Sequence, residues 1–113
     1  PLAEPWFRGL ASVRGNLFGV VDFAAFHGDP SIAPAGQARL LLVGVRHELN
    51  CAILVSRALG LRSLDDFEVV SSPAPTEPPW VGDLVRDSLG TPWTRLKVAE
   101  LLNHPRFLDA AQS

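Results

Sequence analysis

Apolar residues fall in short runs along this chain, separated by polar, glycine and proline clusters, a pattern that predicts strands with few helices. Residues 10–13 and 17–22 flank Gly15-Asn16, residue types suited to the positive φ angles of a two-residue hairpin turn. Residues 39–45 and 50–55 are runs rich in Leu and Val, separated by the polar stretch 46–48. They predict a second hairpin, buried on both faces. Residues 67–70 predict a short strand, and 80–86 and 93–96 a third hairpin around Asp87-Ser88-Leu89-Gly90-Thr91-Pro92. Helix signals are few and lie mainly at the end, where Val98, Leu101 and Leu102 share a face and Pro105 suits the first turn of a final helix carrying Phe107 and Leu108. Two proline-rich stretches, 27–37 and 71–79, read as loops. Short strands, tight turns and late helices suggest a mainly β, small barrel-type fold.

Composition narrows the class. At 113 residues the chain fits one domain. With 47% hydrophobic and 19% charged residues it is too apolar for a disordered tail. No apolar run reaches the ~18 residues of a membrane span, so no membrane insertion is expected. The single cysteine, Cys51, excludes an internal disulfide framework and a multi-cysteine zinc cluster. Net charge is −2 and the arginines are scattered singly, so no nucleic-acid partner is expected. The chain has no methionine and opens at Pro1, which reads as the loss of an N-terminal piece; no signal-peptide pattern is present.

Candidate chemistry is sparse. Cys51 stands near His47, as a Cys–His nucleophile would require, but its apolar run, Asn50-Cys51-Ala52-Ile53-Leu54-Val55, is the setting of a buried structural thiol. His27, His47 and His104 lack the paired spacing of metal ligands, even with Asp29 or Glu48 as helpers, so no metal is expected. The glycines form no phosphate-cradling motif, no serine sits in a nucleophile elbow, and Asp65-Asp66 reads as a solvated turn. Neither a catalytic residue nor a cofactor emerges. What remains is Arg14 beside the hairpin turn, a cation at the tip of a rigid scaffold, and the end of the apolar run at Val55-Ser56. An ion pair from Arg14 to Asp22 would instead make that arginine a structural clamp.

The segment Pro5-Trp6-Phe7-Arg8-Gly9-Leu10-Ala11-Ser12-Val13-Arg14-Gly15-Asn16-Leu17-Phe18-Gly19-Val20-Val21-Asp22-Phe23 resembles the signature hairpin of CheW-like chemosensory adaptors. That signature has a glycine-hydrophobic lead, an Arg-Gly turn, an apolar strand and an aspartate. Residues 50–61 resemble the family's second apolar strand, and 87–96 with Phe107-Leu108 look most like the PilI branch, which serves type IV pilus twitching motility. Ser12, Gly19 and Ser56 depart from the asparagine, proline and aspartate common at those places.

The resemblance implies a pair of small SH3-like β-barrels with short C-terminal helices, residues 1–113 forming a CheW-like domain without its N-terminal strands. It implies a cytoplasmic, non-enzymatic scaffold coupling methyl-accepting chemoreceptors to a CheA-type histidine kinase. Partner contacts are expected at Arg14, Asn16, Val55 and Ser56, with Gly15 and Asp22 as structural motif residues. Strand edges left unpaired by the missing segment would favour a homo-oligomer. The alternatives are a CheW-like regulatory domain of a kinase or adaptor–receiver fusion, and a small hydrolase using Cys51.

Overall fold

The computed structural model describes residues 5–33, 35–43 and 51–107. The chain is mainly β and divides into two units, Pro1–Leu59 with His104–Ser113, and Gly60–Asn103.

In the first unit, β1 (Phe7–Val13) and β2 (Asn16–Asp22) form an antiparallel hairpin, and β3 (Arg39–Val43) and β4 (Cys51–Val55) form another. β2 pairs in parallel with β4, giving the sheet order β1-β2-β4-β3. A parallel pair needs a crossover connection, and the chain between β2 and β4 supplies it through α1 (Phe23–His27), the loop beyond it and β3. The two central strands account for the buried apolar runs. Phe18, Val20, Ala52 and Leu54 form a core on one face, against Ala11, Val13, Ile32 and Ala38. Val21, Cys51 and Ile53, of opposite parity, are also buried. α1 packs against β2 and β4, and its Phe26 meets Trp6 and Phe107 edge-to-face at 5.3 and 5.6 Å.

Three expectations change here. The turn of the first hairpin is Arg14-Gly15, not Gly15-Asn16: Val13 pairs with Asn16, and the residues between them have φ of 52° and 84°. Positive φ at both central positions marks a type I′ turn, whose glycine belongs second. The burial of both strands in the second hairpin holds for β4 and fails for β3. Among the described residues β3 is an edge strand with only β4 beside it, and Leu40, Leu41 and Leu42 are each about two-fifths exposed. The helix α1 occupies the stretch between the strand predicted to end at residue 22 and the loop predicted from residue 27, where no element was expected. Its start is fixed by Asp22, which accepts the Ala25 N–H, and its end by Gly28 at φ 101°.

The second unit begins with a 3-10 turn, Leu64–Asp66, capped by the Ser63 hydroxyl. The antiparallel strands β5 (Phe67–Ser71), β6 (Val81–Asp87) and β7 (Pro92–Leu96) follow, in the order β5-β6-β7. At Gly82 in β6 a Cβ would lie 3.1 Å from the Arg95 carbonyl oxygen, so the irregular pairing there rests on a missing side chain. Helix α2 (Val98–Leu102) closes this unit, and residues 105–107, which belong to the first unit, are again helical, as the sequence predicts. Among the described residues both sheets are open, with no closed barrel. Leu108 and the 44–50 end of the second predicted hairpin lie outside the described residues.

Candidate functional site

The β1–β2 hairpin carries different chemistry at its two ends. At the tip, the type I′ turn leaves Arg14 and Asn16 exposed, and Arg14 has no ion pair with a described residue. A non-glycine residue at φ 52° bears a backbone cost, and such strain is most often kept where the side chain serves a purpose. Gly15, at φ 84°, is what lets the turn close.

At the other end, Asp22 is fully buried. Its cation is Arg8, not Arg14: Arg8 Nη1 lies 3.2 Å from Asp22 Oδ2. The same oxygen accepts the Ile32 N–H at 2.8 Å, while Oδ1 accepts the Ala25 N–H at 3.1 Å. Arg8 also donates to the Ile32 carbonyl at 2.9 Å, closing a ring that ties the start of β1, the end of β2 and the following loop. The clamp that Arg14 was considered for is therefore made by another arginine.

Because β2 and β4 run in parallel, Asp22 pairs with Leu54, and Val55 and Ser56 follow at the same end of the sheet. Val55 is half-buried and Ser56 exposed. The expected contact residues thus fall into two groups, Arg14 with Asn16 and Val55 with Ser56, separated by the length of β2, roughly 20 Å at the usual rise per strand residue.

Cys51 offers no nucleophile. It is fully buried, and burial pushes its thiol up to about 11, so the thiolate is disfavoured. His47 and Glu48 lie outside the described residues. His27 stacks on Phe23 and His104 meets Phe26 edge-on. No described group of three His, Cys, Asp or Glu residues is arranged to hold a metal ion.

Sequence reasoning missed a second aspartate hub, in the other unit. Asp87 Oδ1 accepts the backbone N–H groups of Leu89 and Thr91, both at 2.9 Å. Its Oδ2 accepts Trp93 Nε1 and Arg62 Nη1, both at 3.0 Å. The Trp93 bond foremost, then those from Thr91, Leu89 and Arg62, hold its carboxyl below the ordinary 3.8 against the opposing effect of burial. The available signal was an aspartate opening a Gly-containing turn, which bonds the backbone two residues on.

Residues 1–106 match the family model described as CheW-like domain. The chain belongs to the CheW-like domain family. This CheW-like domain is also 28% identical, over 115 aligned residues and 98% of its length, to Protein PilI of Pseudomonas aeruginosa strain PAO1. It spans 62% of that relative. No solved structure matches the chain. No helix among the described residues is long and apolar enough to cross a membrane.

Proposed function

We propose that this CheW-like domain is a non-enzymatic, cytoplasmic adaptor that couples methyl-accepting chemoreceptors to a CheA-type histidine kinase in a type IV pilus chemosensory system. Membership of the CheW-like family supports the scaffold role, and the likeness to PilI supports the pilus branch. Residues 1–113 are read as one such domain.

The observation that carries the reading is the placement of the two candidate surfaces at opposite ends of β2. A coupling protein must hold two partners at once, and separate surfaces on one rigid sheet allow that. Arg14 offers a planar guanidinium for a bidentate carboxylate contact at the tip. Val55 and Ser56 offer an apolar position with a polar rim. Modest interfaces of this kind gain strength in an array through effective concentration.

The experiment is a pull-down with a receptor cytoplasmic fragment and a CheA-type kinase, repeated with Arg14→Ala and Val55→Glu. The wild-type chain retains both partners. Arg14→Ala changes stability by no more than ~0.5 kcal/mol and weakens one partner by ~1–3 kcal/mol. Val55→Glu stays folded and weakens receptor binding. Binding of neither partner by the wild-type chain overturns the adaptor reading. Unchanged binding by both variants overturns the residue assignment.

A further inference from the structure

The first unit contains a groove of about 450 Å³ at the start of β3 whose chemistry the adaptor reading does not use. Val20, Leu40 and Leu54 form its apolar lining, and Arg8 and Arg39 contribute cations. Leu40 pairs with Leu54 across the strands, so both lie on the sheet face that carries the Phe18–Val20–Ala52–Leu54 core. Their side chains therefore join the groove to the sheet edge.

The two arginines are not equivalent. Arg8 is neutralised by Asp22. Arg39 is exposed and pairs with no carboxylate among the described residues. Its Nη1 donates to the carbonyls of Ala38 at 2.8 Å and Gly36 at 3.3 Å, which hold the head in place without cancelling its charge.

β3 itself lacks the usual guards of an edge strand. Its five residues, Arg39-Leu40-Leu41-Leu42-Val43, hold no proline, no lysine and no bulge, and they pair in unbroken register with β4. The sole charge on the strand is the arginine, which repels a basic arrival and attracts an acidic one.

We propose that the β3 edge and its groove form a docking surface for an extended, acidic segment of a partner protein. The segment adds as a strand beside β3, its backbone taking the edge that is unpaired among the described residues and its apolar side chains covering Leu40, Leu41 and Leu42. A carboxylate at the groove end pairs with the Arg39 guanidinium. Charge complementarity selects this occupant: an uncompensated cation at the mouth of an apolar groove favours an anionic segment and disfavours a second β3, which brings another arginine.

The test uses the whole chain, isotope-labelled, titrated with two blocked five-residue peptides alternating valine with glutamate or valine with lysine. The glutamate peptide shifts the amides of Arg39–Val43 and Leu54, and binds about fivefold or more tightly than the lysine peptide, with an advantage that falls in high salt. Arg39→Ala abolishes the preference and Arg39→Lys restores part of it, while both keep the wild-type melting temperature. Equal binding of the two peptides, or shifts confined to other surfaces, overturns the proposal. So does a chain that is dimeric without peptide and becomes monomeric with Leu41→Lys, because a second copy then occupies the edge.

Discussion

Arg8 reaches Asp22 because Arg8 is the extra residue of a β-bulge. Phe7 pairs with Val21 and Gly9 with Val20, so two steps along β1 match one along β2. Strict alternation from Leu10 would turn Arg8 away from the face that holds Phe18, Val20 and Asp22. The bulge, eased by Gly9 at φ 105°, re-aims the side chain onto that face. Asp22 thus has a local structural task within the first unit.

That arrangement sets an order of stability losses. Asp22→Ala removes the Arg8 pair, the α1 cap and the Ile32 bond together, and should cost about 2–4 kcal/mol. Arg8→Ala leaves the two backbone donors in place and, with an arginine 30% exposed, should cost only about 1–2 kcal/mol. Urea denaturation of both variants and of the double mutant measures the coupling.

Arg14 occupies a backbone conformation that asparagine and glycine adopt at lower cost. Arg14→Asn should therefore stabilise the first unit by about 0.5–1 kcal/mol. Under the adaptor reading the same variant loses partner binding. A gain in melting temperature alongside a loss in pull-down identifies strain retained for function.

Asp87 links the second unit to acid. Its carboxyl titrates below 3.8 in the folded chain, so the folded state binds the proton more weakly than the unfolded state. The resulting stabilisation is present above the ordinary carboxylate range and is lost as pH falls through the depressed value. Amide protection at Leu89 and Thr91 should drop on acidification below 3.8. Asp87→Asn should remove most of that pH dependence, which hydrogen exchange reads directly.

Cys51 should resist a disulfide-exchange reagent at neutral pH in the native chain and react at once in denaturant. Its thiol is pushed from 9.0 to about 11, so between those values the unfolded state releases the proton first and stability falls as pH rises. A thiol titration with and without denaturant, followed by alkaline melts of Cys51→Ala, separates this group from the rest.

Local chemistry was legible in the sequence. The short apolar runs fixed a mainly β chain, Gly15 marked a tight turn to within one residue, and Pro105 marked a helix start, because each depends on neighbours a few positions away. The burial of Cys51 was legible for the same reason. Longer-range facts were not. β3 and β4 read as equally buried, since leucine runs look alike whether a strand has one neighbour or two, and only the sheet order makes β3 an edge. The short helix α1 was hidden because five residues are too few to show a helical period, although the strand end at Asp22 that caps it was legible. The choice of Arg8 over Arg14 as the partner of Asp22 turned on a single extra residue in β1. The separation of Arg14 from Val55 turned on the parallel pairing of β2 with β4, which aligns residues far apart in the chain and leaves no local trace in the sequence.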